Sequence, residues 1–275
     1  MGFHRVEDGQ IYYEFHNPSQ SESPGVLFLH GLGSCGEDWG LQIPIISERY
    51  WLLMLDLPGH GRSSKPAGWL SIEDMAFQVA FLVKEQAKSP VHVVGLSLGG
   101  AVAMQLALDY PETVRSLTLV NTFARLHSGS NGFFRKLVRL SFVALGRMDR
   151  VGEWVAAGLF PEPDQELLRQ AAAERIASNP RGAYLRAIWA AARFDIRDRL
   201  NEIDTPVLVV AGELDKTVSM DAKKELASHI PGAHLVVIPD SGHATPIDAA
   251  DAFNRTLLDF LSKLDIGQGR ELWAR

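Results

Sequence analysis

The segment Gly95-Leu96-Ser97-Leu98-Gly99 constrains this chain more than any other. It follows Val91, Val93 and Val94, which read as a short buried strand, and it precedes AVAMQLALDY, which reads as a helix. Ser97 therefore stands where a strand turns abruptly into a helix. So sharp a turn leaves no room for side chains at Gly95 and Gly99, and it forces the serine into a strained, exposed conformation. The rest of the chain has to supply neighbours for that strand and partners for that serine.

Neighbouring strands are legible on both sides. FHRVEDGQIYYEF reads as two antiparallel strands joined around Asp8-Gly9, a strong hairpin signal. VLFLH (26–30) and WLLMLD (51–56) are short apolar runs ending at Gly-rich turns, with a helix expected between them from about Glu37 to Arg49. SIEDMAFQVAFLVKEQAK opens with Ser71 as cap and Asp74 at the capping-box position, then carries apolar residues at helical spacing. VRSLTLVN is a further buried strand. Residues 122–204 break the rhythm, with helical patterns only: GFFRKLVRLSFVALG, DQELLRQAAAERIAS and GAYLRAIWAAARF. Strands resume with PVLVVAGELD and AHLVVIPDSGH around the helix SMDAKKELASHI, and a final helix is expected from about Ile247 to Leu264.

Alternating strands and helices predict a mainly parallel twisted sheet with helices on both faces. The chain then divides into an α/β core, residues 1–121 and 205–275, and a helical lid, residues 122–204, inserted over the carboxyl ends of the strands. Open α/β sheets place their sites at those ends.

Gly95–Gly99 has the G-x-S-x-G pattern in the strand–turn–helix context that makes such a serine a nucleophile. A serine hydroxyl attacks well only if a base takes its proton, and that base is usually a histidine oriented by a carboxylate. His243, in IPDSGHATP, lies in the loop after the last strand; Asp215, in VVAGELDKTV, lies in the loop after the strand before it. Glu213 and Asp240 compete with Asp215, but its place after the strand favours Asp215. The chain order Ser97, Asp215, His243 is the order expected with this elbow. A developing oxyanion needs two donors. The backbone N–H of Leu98 is one, and the Gly-rich HGLGSCG turn offers the N–H of Leu32 as the second.

Taken together, these motifs make the sequence resemble the α/β-hydrolase superfamily across nearly its whole length. His30-Gly31-Leu32-Gly33 matches the family's oxyanion loop, DLPGHGRSS its glycine turn, GLSLGG its elbow, GELD its acid turn and SGH its histidine loop. Within the superfamily, the chain is similar to small lid-bearing esterases, enol-lactonases and carbon–carbon bond hydrolases; a serine at the elbow separates it from haloalkane dehalogenases and epoxide hydrolases, which carry aspartate there. The resemblance implies hydrolysis of a small-molecule ester, lactone or ketone without metal or organic cofactor. A small or medium carboxylic ester is the first expectation. Cleavage of a ring-cleavage-type diketone, or a slow-turnover ligand receptor that keeps the triad, are the alternatives.

The other conspicuous residues have plainer readings. His30, His60, Asp56 and Arg62 sit in glycine turns, where bracing the backbone is the expected role. Cys35 is the single cysteine, which excludes an internal disulfide or cysteine metal cluster and reads as a small apolar side chain. His, Asp and Glu show no metal-ligand spacing. Phe123, the last residue of LVNTF, and Arg125, just beyond it, are candidate substrate contacts. Six basic residues and a single acid lie between Arg125 and Arg150 in a chain of net charge −6. A solvated helix face is the first reading; attraction of a substrate carboxylate and contact with an anionic lipid surface come after it. The overall negative charge argues against a nucleic-acid partner. With no apolar run of spanning length and no signal-like start in MGFHRVEDGQ, the expectation is a cytoplasmic protein without stable membrane insertion.

Overall fold

The computed structural model describes residues 1–6, 9–17, 24–87, 90–126 and 143–265. Its centre is an eight-stranded sheet in the order β1-β2-β4-β3-β5-β6-β7-β8. Strands β1 (Gly2–Val6) and β2 (Gly9–His16) form the antiparallel hairpin expected around Asp8-Gly9. β2 pairs antiparallel with β4 (Trp51–Leu55). From there the sheet is parallel through β3 (Gly25–Leu29), β5 (Val91–Leu96), β6 (Val114–Val120), β7 (Val207–Gly212) and β8 (His234–Ile238).

The central strands are apolar at nearly every position because both faces are covered. Alternate residues go to opposite cores: Leu27, Leu29, Leu53, Leu55, Val93, Leu117, Leu119 and Val209 to one, Val26, Phe28, Leu52, Met54, Val94, Val120, Leu208 and Val210 to the other. The first core is closed by α2 (Ile72–Gln86) and α3 (Leu98–Asp109), the second by α1 (Ile43–Ile46) and α9 (Ala250–Asp265). The Ser71–Asp74 capping box forms as expected at the start of α2.

Two helices differ from expectation. The single helix sought from Glu37 to Arg49 is a 3-10 turn, Gly36–Trp39, followed by the four-residue α1. Pro44 has no N–H to continue a helix from upstream and sits instead in the first turn of a new one. The last helix is split: α8 (Thr245–Asp248) ends at Ala249, whose φ of −136° and ψ of 44° break the path before α9.

Between β6 and β7 the described residues are helical, apart from an isolated bridge between Arg125 and Asp195. Helices α4 (Met148–Leu159), α5 (Glu166–Ala177) and α6 (Arg181–Arg193) share a small core of Val143, Val151, Ile176, Tyr184 and Ile188. That core reaches the sheet through Leu32. Asn179, after α5, donates to the Gly33 carbonyl at 2.9 Å, and Arg175 on α5 pairs with Glu37 at 2.8 Å. Most of the pattern GFFRKLVRLSFVALG lies outside the described residues. The final loop-helix unit carries α7 (Met220–His229) between β7 and β8.

Candidate active site

β3 is flanked by β4 on one side and β5 on the other, so the loops after β3 and β5 leave the sheet in opposite directions and open a crevice between them. Ser97 stands at that point. Its backbone has φ 53° and ψ −110°, outside the regions an L-residue occupies without strain. Four bonds hold it there: its N–H donates to the Val120 carbonyl at 2.9 Å, and its own carbonyl accepts from Thr122 Oγ1 at 2.6 Å and from the Gly100 and Ala101 N–H groups at 3.0 and 3.1 Å. The flanking glycines are needed for space. A Cβ at Gly99 would stand 2.1 Å from the Leu29 carbonyl oxygen, and one at Gly95 would stand 2.4 Å from that of Gly99.

Leu32, Leu98, Ser97 and His243 line one cavity of about 180 Å³. Neither the Leu32 nor the Leu98 N–H donates a hydrogen bond to another loop or element among the described residues. Leu98 also opens α3, whose dipole favours negative charge at that end. The turn carrying Leu32 is braced by His30. The His30 Nε2 accepts from the Leu57 N–H at 2.9 Å, which leaves the proton on Nδ1, facing the Gly31 carbonyl at 2.8 Å. Burial pushes the His30 ring below the usual histidine range, so it stays a neutral brace.

Asp215 is fully buried after β7, and its Oδ2 lies 2.9 Å from His243 Nδ1. Oδ1 accepts the N–H groups of Thr217 and Val218 at 2.7 and 3.2 Å. Burial alone raises a carboxyl pKa; here the His243 ring, Lys223 and their hydrogen bonds outweigh it and hold Asp215 well below the carboxylate range. His243 shares the cavity with Ser97, though no hydrogen bond joins the two among the described residues. Such contacts are often long in a free enzyme and tighten around substrate.

Three residues that sequence reasoning did not select hold this arrangement together. Asn121, at the end of β6, accepts from the Gly212 N–H at 2.8 Å and donates to the His243 carbonyl at 2.9 Å, tying the ends of two strands to the histidine loop. Asp248 on α8 accepts from Ser241 Oγ at 2.7 Å and from the Gly242 N–H at 2.8 Å. Lys223 on α7 is fully buried, 2.8 Å from Asp215 Oδ2. Burial lowers its pKa, and the Asp215 carboxylate opposes that effect. The signal for Asn121 was a polar residue closing an apolar strand; for Lys223 it was a lysine on the same face as Ala222 and Leu226.

Phe123 lines the cavity, with Leu126, Val155, Leu159, Phe160, Ile176, Tyr184 and Ile188. Arg125 does not. Its guanidinium is half-exposed and faces Asp195 at 3.7 Å, while Arg147 and Arg150 pair with Asp149 and Glu153; Arg135, Lys136 and Arg139 lie outside the described residues. Asp56 accepts from the N–H groups of Gly36 and Arg62 at 2.8 and 2.7 Å, a backbone brace like His30. Cys35 is buried, and that burial pushes its thiol up to about 12. Among the described residues there is no group of three or more His, Cys, Asp or Glu side chains placed to hold a metal ion, and no helix is long and apolar enough to cross a membrane.

Comparison with known proteins agrees with this geometry. A family model described as the alpha/beta hydrolase fold matches residues 24–250. Among curated proteins, "Putative carbamate hydrolase RutD" of Variovorax paradoxus (strain S110) is 34% identical over 262 residues, covering 92% of this chain and 97% of that protein. The enol-lactonase of Burkholderia xenovorans LB400 superposes with a TM-score of 0.88 at 25% identity, covering 95% of this chain and 100% of that one. Est816, described as an N-acyl homoserine lactone degrading enzyme, does so with a TM-score of 0.81 at 27% identity, covering 94% and 100%. A parallel sheet with its serine at the β5–α3 turn and a family match over most of its length lead to one statement: the chain belongs to the α/β-hydrolase fold family and is a hydrolase of that family.

Proposed function

We propose that this hydrolase cleaves a small, largely apolar carboxylic ester or lactone through an acyl-enzyme on Ser97. The observation that carries the reading is the buried Asp215–His243 pair opening onto the same apolar cavity as the strained Ser97. Ser97 Oγ attacks the acyl carbon while His243 Nε2 takes its proton. Asp215 holds the ring with Nδ1 protonated and stabilises the imidazolium that forms. The Leu32 and Leu98 N–H groups receive the oxyanion, each worth about 3 kcal/mol of transition-state stabilisation. His243 then gives its proton to the departing alkoxide. Water, deprotonated by His243, releases the acid and restores Ser97.

Helices α4 to α6 serve as a lid in this reading, because they supply Val155, Leu159, Ile176, Tyr184 and Ile188 to the cavity. Phe123 is a substrate contact, and the acyl group is short. A cavity of roughly 150 Å³ holds a benzene ring, so about 180 Å³ accommodates a small ring or a short chain.

The names of the curated relatives favour a carbamate as the second reading. The same attack would expel the alcohol or the amine, leaving a carbamoyl or an alkoxycarbonyl group on Ser97. The cavity wall argues for the ester. Its charged members among the described residues are Asp38 and Arg175, and Arg175 is already paired with Glu37 and Asp38.

The test is a panel of p-nitrophenyl acetate, butyrate, octanoate and carbamate with simple lactones, run on wild type and Ser97→Ala. Steady turnover of short esters, falling with chain length and absent in Ser97→Ala, is expected, together with fluorophosphonate labelling at Ser97. Turnover that survives Ser97→Ala would sink the proposal, and carbamate turnover above that of every ester would replace it with the second reading.

A further inference from the structure

Lys223 lies four residues after the Ser219 cap of α7, yet no part of its side chain reaches solvent. An ammonium is rarely buried completely, and an apolar residue would fill the same space between α7 and β7 without desolvating a charge. Packing alone does not account for a lysine here. What it contacts does: Lys223 Nζ and His243 Nδ1 share one oxygen, Asp215 Oδ2, at 2.8 and 2.9 Å. A weak further acceptor, the Gly212 carbonyl, stands 3.5 Å from Nζ.

The shared oxygen has a geometric consequence. With Thr217 and Val218 N–H on Oδ1 and two charged or polar donors on Oδ2, the carboxylate is fixed in rotation and Oδ2 stays turned toward His243. Other charged groups near the pair have partners of their own. Asp248 on α8 is committed to Ser241 and the Gly242 N–H, and Arg175, which lines the same cavity, is offset by Glu37 and Asp38.

We propose that Lys223 is a positioning residue for the hydrolytic reaction: it holds Asp215 Oδ2 aimed at His243 Nδ1. The inference rests on the serine-hydrolase reading above. Without Lys223, Oδ2 loses one of its two donors and the carboxylate can turn away from His243, so Ser97 reacts more slowly.

The experiment measures the rate at which a fluorophosphonate labels Ser97 at pH 7, which needs no knowledge of the natural substrate. Wild type is compared with Lys223→Met, Lys223→Gln and Lys223→Arg, with a melting curve for each. The expected result is labelling slowed about 10-fold or more in Lys223→Met and largely recovered in Lys223→Arg, whatever the melting temperatures. Should Lys223→Met not fold, Lys223→Gln, whose side chain is shorter and uncharged, carries the same comparison. A lower melting temperature with an unchanged labelling rate in the neutral variants overturns the proposal, because a merely structural lysine would behave that way. Failure of the wild-type protein to label at Ser97 would instead overturn the hydrolase reading itself.

Discussion

Asn121 is where a small change should cost most for the least volume. Its backbone is left-handed, with φ 44°, a conformation that asparagine tolerates better than most residues. Its Oδ1 takes the Gly212 N–H, and its two amide hydrogens are spread over the His243 carbonyl at 2.9 Å, Thr245 Oγ1 at 2.8 Å and the Gly242 carbonyl at 3.1 Å. Asn121→Ala removes every one of these. The Gly242 carbonyl keeps Thr245 Oγ1 as a donor, so the groups left buried without this partner are the Gly212 N–H and the His243 carbonyl. Each costs about 1–3 kcal/mol, and a left-handed alanine adds about 1 kcal/mol, for a total centred on about 5 kcal/mol. For a chain near this size that is a fall in Tm of roughly 10–20 °C.

The loop carrying His243 also loses its tie to β6, so kcat on a short ester should fall about 10- to 100-fold with little change in KM. Asn121→Gly, free of the backbone strain, should recover about 1 kcal/mol of stability and none of the activity. Asn121→Asp keeps the acceptor for Gly212 but turns an oxygen toward the His243 carbonyl, and should be slow although its volume is unchanged. Thermal melts and steady-state kinetics read all three variants. An Asn121→Ala protein melting within about 2 °C of wild type with an unchanged kcat would refute the reasoning.

His60 makes stability depend on pH. Burial holds its ring down to about 3, whereas the unfolded chain titrates near 6.5. The unfolded state therefore binds the extra proton between those values. Stability is full above about pH 6.5 and falls on acidification toward pH 3, at up to about 1.4 kcal/mol per pH unit. Urea unfolding at pH 5, 6 and 7 should show a shallower slope in His60→Leu than in wild type; equal slopes would contradict the assignment. Cys35, buried and with its thiol pushed up to about 12, should not react with iodoacetamide in the native protein at pH 8. Rapid alkylation would show that the loop after β3 opens. Gly99→Ala should yield little soluble protein, since its Cβ would meet backbone at 2.1 Å; a soluble variant of normal Tm would mean that the elbow can shift.

The sheet was legible because its strands advertise themselves. Val93 and Val94 go to opposite cores, and an unbroken apolar run is what two covered faces require. The capping box at Ser71–Asp74 is a local motif and formed locally. The helix expected from Glu37 to Arg49 failed at Pro44, whose missing N–H outweighed the apolar spacing around it. Within the candidate site, Ser97, Asp215 and His243 could be singled out because loop position after a strand is a property of the sequence. Asn121 and Lys223 were not, because their partners are distant in the chain: Asn121 reaches 122 residues ahead to His243. A lysine in AKKELA reads as solvated until the fold shows which face of α7 is buried.

The same contrast bears on what selects the substrate. A solvated face is the first reading of the basic stretch, and its described members fit it: Arg125, Arg147 and Arg150 each face an acid near them and outside the cavity. Exposed pairs of this kind contribute little energy and are screened by salt. Selection in the cavity then falls to shape, supplied by Val155, Leu159, Ile176, Tyr184 and Ile188 from α4 to α6 against Phe123 and Leu126 from the chain just after β6. Those helices meet the chain after β3 at Leu32, Gly33 and Glu37. If that turn supplies the second oxyanion donor, as proposed, a change in how α5 packs is felt in two places, in the volume of the cavity and in the aim of the Leu32 N–H. Under the same proposal, residues on that contact couple substrate choice to rate, while Asp215 and His243 are held by Lys223 and Asn121.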